Sequence, residues 1–237
     1  MLSLVEEILL LALDDESGRF VSLPKHALEF ALASSVLMDL ALRGRIDTDL
    51  DELMLVDATP VDDDILDPVL AAIARSGEPF NARRWINVAA READTILEMA
   101  LDRLVARGVL RREQQKLLWV VGSRRYPLVD DKEVREVKLR ILEIILSDEI
   151  PDPRDVVIIS LADTCKLFAS ILSARELRSA EARIAQVARM DLIGRSLVES
   201  LRDMREWGRW AGGPREDIYD RSDRSDRSGA SGGEPGA

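Results

Sequence analysis

Aromatic side chains are scarce, at 4% of 237 residues, so any core must be built from aliphatic ones. Soft metal ligands are scarcer still, with Cys165 the sole cysteine and His26 the sole histidine. That excludes a disulfide framework, a thiolate metal site or a Ser-His triad within one chain. Cys165 lies in IISLADTCKLFASIL, a mostly apolar stretch, where a thiol is expected to be buried and inert. No run approaches the roughly 20 apolar residues of a membrane span. The opening MLSLVEEILLLALDD is interrupted by Glu6 and Glu7, lacks a basic start and has no small-residue cleavage site. It reads as a helix of an intracellular protein rather than as a secretory signal. There is also no Gly-rich phosphate loop, metal-ligand cluster or nucleophile–base pairing, so no catalytic residues, metal or cofactor are expected.

Helical patterning fills most of what remains. Ser3 to Leu13 forms one helix, with Ser3 and Glu6 at capping-box spacing. Lys25 to Leu42 is apolar nearly all round, as a buried helix is, and Gly44 stops it. A short hairpin spans Arg45 to Val56 around DTDLDE. Asp62 to Ala74 is a helix whose first residues, Asp62, Asp63 and Asp64, sit at its positive end. Without alternating acids and a central glycine, that run is a charged helix start and not a calcium loop. Lys132 to Leu146 is amphipathic, Arg154 to Leu172 strongly apolar, and Ser173–Met190 and Asp191–Glu206 amphipathic again. The fold class expected is mainly α: two central apolar helices surrounded by amphipathic ones, with one or two short β-hairpins. From 207 to 237 the chain is rich in Gly, Ser, Asp and Arg with DRS repeats, composing a disordered tail after a domain at 1–206.

Charge is unevenly spread. The chain carries a formal net charge of -11, yet residues 1–80 hold -12 and residues 81–140 hold +5. The only basic region is also the one around which the sequence is organised. Its helix, TILEMALDRLVARG, ends at Gly108, where a left-handed cap would stop it. Val109–Leu110 and Leu117–Val121 then read as the strands of a hairpin at 109–121, joined by a polar turn over Arg111–Gln115, with Arg124-Arg125-Tyr126 just beyond. Arginine outnumbers lysine 28 to 5, the usage of a GC-rich genome, which points to a bacterial source.

With LSLVEEILLLALDDESG at the start, LMDLALRGRI after the second helix, LVARGVL into the hairpin and the LLWV and YPL runs behind it, the chain resembles the Golgi phosphoprotein 3-like family of peripheral membrane adaptors. The likeness runs from about Leu2 to near Met204. It implies a mainly helical fold, binding of phosphatidylinositol 4-phosphate, and a hydrophobic hairpin that touches membrane or a second subunit. Eukaryotic members retain glycosyltransferases in the Golgi by holding their cytoplasmic tails. At the positions of that family's headgroup pocket this chain reads Pro24, Ala33, Asp94 and Leu97.

Two functions compete for the helix-and-hairpin region. A membrane adaptor needs an insertable surface and local positive charge. Arg83, Arg84, Arg91, Arg124 and Arg125 are the candidates for a phosphoinositide or other anionic phospholipid headgroup. Leu117, Leu118, Trp119 and Val120 are those for membrane insertion or a homo-oligomer contact. Such a protein would sit on the cytoplasmic face of a membrane and hold a client protein tail. The alternative is a winged-helix DNA regulator with Asp94–Arg107 as recognition helix and Gln114–Lys116 as wing tip. Asp94, Glu98 and Asp102 beside only Arg103 and Arg107, in an acidic protein, argue against it, and no nucleic-acid partner is expected.

Overall fold

The computed structural model describes residues 2–24, 26–48, 52–76, 81–117 and 120–191, with main chain alone at 114–117 and 120–124. Helix α1, Leu4–Ala12, is buried along its whole length, acids included. It begins with the expected reciprocal cap: Glu6 N–H donates to Ser3 Oγ at 3.2 Å and Ser3 N–H to Glu6 Oε2 at 2.6 Å. Helix α2, Ala27–Leu42, is buried on nearly every side because α1 and four later helices pack around it. It stops in a Schellman turn: Gly44 takes φ 66°, and Arg45 N–H reaches Leu40 O at 2.9 Å. Strands β1 (Ile46–Thr48) and β2 (Leu53–Leu55) form the first hairpin, antiparallel, with Asp47 opposite Met54.

Helix α3 covers Leu66–Ser76, a later start than the aspartate run suggests. Asp62 turns left-handed at φ 57°, and Asp63 acts as a cap instead, accepting from Ile65 N–H and Leu66 N–H at 3.0 and 3.3 Å. Helix α4, Ala82–Ala89, continues through a 3-10 turn at Ala90–Glu92 into α5, Ala93–Ala106. Gly108, at φ 76°, ends α5 with Val109 N–H on Leu104 O, as its position after the last periodic residue implies.

The second hairpin is displaced from its expected place. Its strands are β3, Glu113–Leu117, and β4, Val120–Arg125. Val109 and Leu110 are buried and pair instead with the segment behind β4: Leu110 bridges Leu128, and Val129 N–H donates to Val109 O at 2.9 Å. The residues read as a turn, Glu113 to Gln115, are therefore strand, and Arg124 and Arg125 lie within β4 opposite Gln114 and Glu113. The base of this ribbon is held from below. Gly18, at φ 63°, accepts Tyr126 N–H at 2.7 Å, in space so tight that a Cβ on Gly18 would lie 2.4 Å from Pro127 N.

Helix α6 spans Lys132–Leu146 and buries Val134, Val137, Ile141 and Ile145. The apolar run expected as one helix over 154–172 is two: α7, Pro153–Thr164, and the single turn α8, Phe168–Ile171. Lys166 at φ 63° separates them, with Leu167 N–H closing on Ala162 O at 2.8 Å, a Schellman turn made without glycine. Helix α9, Ala174–Ala188, opens with a second capping box, Ser173/Glu176. The middle of the molecule is thus a trio, α1, α2 and α7, in mutual contact, wrapped by amphipathic helices. Cys165 is buried, and its thiol is pushed up to about 12 by that burial. The expected helix at 191–206 and the tail at 207–237 fall at or beyond the last described residue, Asp191.

Candidate functional site

Helix α4 and the 3-10 turn that follows it carry the first three arginines. At about 100° per residue, Arg84 falls opposite the buried Ala82, Trp85, Ile86 and Ala89, and Arg83 falls on their flank. Arg84 is exposed, Arg83 half-buried, and Arg91 stands exposed in the 3-10 turn that follows. Arg125 is half-buried, its Nε without a hydrogen-bond partner among the described residues. The headgroup candidates therefore fall in two sets on separate elements, α4 with its turn and β4. On the ribbon, Leu117 and Val120 form the last pair of the ladder; Leu118 and Trp119 lie outside the described residues.

Other cations of the basic region are held in ion pairs. Arg103 meets Asp63 at 2.8 Å and also Asp64, Arg107 meets Glu6 at 3.2 Å, and Arg140 meets Glu7 and Asp155 at 3.1 and 2.6 Å. Lys138 holds Asp15 at 2.5 Å, and Arg112 holds Glu98 and Asp102 while lying over the Tyr126 ring, 5.8 Å from its centroid. The basic middle of the chain thus neutralises the acidic first third. The same pairs bear on the DNA alternative, because α5 packs its apolar side on α1 and α2 and shows Asp94 and Asp102 outward.

Two acids in α1 and one in α2 are buried and set up a second polar centre. Glu7 is fixed by Arg154 at 3.0 Å besides Arg140; burial pushes its carboxyl above the ordinary carboxylate value in spite of both cations. Asp39 is likewise raised by burial, against the Leu4 N–H at 2.8 Å and Arg154 at 3.6 Å. Burial also acts to raise Asp63, but the Arg103 hydrogen bond and the Ile65 N–H outweigh it and hold that carboxyl below its usual value. Arg154 in turn donates to Leu2 O at 2.7 Å. Beside these groups, where the start of α1 meets the ends of α2 and α5, lies a cavity of about 280 Å³. Arg43, Arg103, Arg107 and Arg154 line it together with Glu6, Asp39, Asp63, Leu2, Ser3 and Leu42.

None of the cavity residues is among the sequence-derived candidates. A signal for them exists all the same. An acid inside a wholly apolar helix, as Glu6, Glu7 and Asp39 are, demands a buried cation from elsewhere in the chain. No group of His, Cys, Asp and Glu suited to a metal occurs among the described residues.

A helical body built on a buried trio, a β-ribbon anchored at its base and arginines on an outer helix and the turn behind it define the class: a mainly helical scaffold that presents surfaces. No described helix is long and apolar enough to cross a membrane. The chain belongs to the Golgi phosphoprotein 3 (GPP34) family, whose model matches residues 4–205. It is similar to the vacuolar protein sorting-associated protein 74 of Eremothecium gossypii, 28% identical over 167 residues that make up 61% of this chain and 49% of that protein. The Schizosaccharomyces pombe protein of the same description is 25% identical over 167 residues, 62% of this chain and 49% of its own length. The chain spans about half the length of these relatives.

Proposed function

We propose that this protein is a non-catalytic peripheral membrane adaptor that docks on anionic phospholipid, a phosphoinositide such as phosphatidylinositol 4-phosphate being the headgroup of choice. Arg83, Arg84 and Arg91 make the first contact, Arg124 and Arg125 on β4 the second. Leu117 to Val120 supply apolar area to the membrane or to a second copy of the chain. The domain at 1–206 does this work on the cytoplasmic face, with 207–237 as a tail, and a client protein's tail is the cargo. The observation that carries the reading is the exposure of Arg84 and Arg91 on one outer stretch. Each such side chain near an anionic surface contributes about 1 kcal/mol, and apolar insertion adds to it.

Vesicles of phosphatidylcholine with increasing phosphatidylserine or phosphatidylinositol 4-phosphate test it by co-sedimentation. Binding should rise with anionic lipid and fall with salt. Arg84→Glu/Arg91→Glu should abolish most of it at low ionic strength while the melting temperature stays put. Unchanged sedimentation of that variant would refute the assignment.

A further inference from the structure

Helix α6 is apolar on two sides, and the body covers one of them. Val134, Val137, Ile141 and Ile145 are buried where the helix packs on α1 and α9. At about 100° per residue, Leu139 and Leu146 stand on the opposite side, 51% and 65% exposed, with half-buried Leu142 between them on the flank. Leucines at spacings of three and four residues form the seam by which helices pair in a coiled coil. Four residues further, in the loop to α7, Ile150 is 94% exposed. Arg183 of α9 straps this loop, donating to Ile144 O at 3.4 Å and to Glu149 O, and the buried Pro151 closes it. Charge is sorted along the stripe. Lys132 and Arg135 extend it toward the start of the helix, Arg135 paired with Asp131 on the same helix end. Asp148 and Glu149 stand exposed past the other end. Lys132, Asp148 and Glu149 make no side-chain ion pair among the described residues.

We propose that the outer face of α6 is a contact between two copies of this chain, paired antiparallel about a two-fold axis near Leu142. That arrangement sets Leu139 of one copy beside Leu146 of the other. It also brings Lys132 and Arg135 of each copy to Asp148 and Glu149 of its partner, so every charge contact occurs twice. The opposed helix dipoles favour the same direction. A parallel pair would instead stack Lys132 on Lys132 and Glu149 on Glu149. Glu136 and Glu143 lie on one flank of the stripe, at the water-facing edge of such a pair. Together with Asp148 and Glu149 they turn this face away from an anionic membrane. The contact is therefore separate from the membrane reading and uses neither its arginines nor Leu117 to Val120. One helix face and a loop are small beside a standard interface of about 1,600 Å², so the dissociation constant is about 10–100 μM.

In analytical ultracentrifugation the full chain should pass from monomer to dimer between about 5 and 300 μM, and pair more tightly in low salt than in high. Leu139→Glu/Leu146→Glu, at positions already exposed, should keep its melting temperature and stay monomeric. Lys132→Glu/Arg135→Glu and Asp148→Lys/Glu149→Lys each reverse one end of the stripe, with signs that suit their helix ends, so both should fold. Each alone should pair at least about tenfold more weakly. Mixed in equal amounts they should recover the dimer, because in an antiparallel pair each reversed end meets the other. A chain that stays monomeric throughout, or charge variants that fail to recover on mixing, would overturn the proposal. A dimer that survives Leu139→Glu/Leu146→Glu would overturn it in favour of a contact elsewhere. A monomer whose sedimentation with phosphatidylserine vesicles drops in that variant would give the face to the membrane instead.

Discussion

Gly18→Ala isolates the anchoring of the β-ribbon, because three glycines share one backbone conformation but not one environment. Gly18, Gly44 and Gly108 all have φ between 63° and 76°, and alanine in that region costs about 1–2 kcal/mol at each. Around Gly44 and Gly108 an added Cβ meets nothing within 4 Å, so the conformational cost is the whole effect there. At Gly18 the Cβ would stand 2.4 Å from Pro127 N and 2.7 Å from Pro127 Cα, both backbone atoms that cannot rotate away. The loop and the strand must part, which breaks the Tyr126 N–H to Gly18 O bond and strands a donor on a residue that is only 4% exposed. That adds about 1–3 kcal/mol. Gly18→Ala should thus be destabilising by about 2–5 kcal/mol in urea unfolding and Gly44→Ala by about 1–2 kcal/mol. In a chain of this size the difference is several degrees in Tm, at about 2–4 °C per kcal/mol. Equal losses at Gly18 and Gly44 would mean that the loop after α1 does not clamp the ribbon.

Asp63, held below its ordinary carboxyl value in the folded protein, contributes stability present above the unfolded value and lost as pH falls through the folded one. The destabilisation by Asp63→Asn should accordingly be full at pH 7 and shrink below about pH 4; a pH-independent difference in urea midpoints would refute the Arg103 pairing. Cys165, with its thiol raised to about 12, should resist iodoacetamide at pH 8 in the native protein and react within minutes after unfolding in guanidinium. Native-state labelling at the unfolded rate would place that thiol outside the core.

Local chemistry made much of this fold readable. The Ser3/Glu6 box, the stop at Gly44 and the stop at Gly108 rest on residues whose side chains, or lack of one, force the backbone; each is where the chain implied. The break after α7 was not legible, since Lys166 takes a left-handed conformation that nothing in a lysine announces, and the apolar pattern runs on through it. The ribbon slipped for a related reason. Val109 and Leu110 look like strand because they are buried, but their partners, Leu128 and Val129, lie past the ribbon. Polar Glu113–Lys116 carries no alternation to mark it as strand. The α4 arginines were legible as charge. The cavity was not, because its cations arrive from α2, α5 and α7, and only the acids stranded in α1 and α2 hint that they must.

Those stranded acids also impose an order in time. The partners of Glu7 are Arg140 and Arg154, the Leu2 carbonyl waits for Arg154, and Glu6 waits for Arg107. A ribosome adding about 5–20 residues per second therefore makes the first helix roughly 7–30 s before the last of its counter-charges. Until residue 154 is made, LVEEILLLA lacks α7 from its core and the last of its cations. Fragments ending before residue 154 should fail to fold, because they lack α7 and the Arg154 pairs to Glu7 and Asp39.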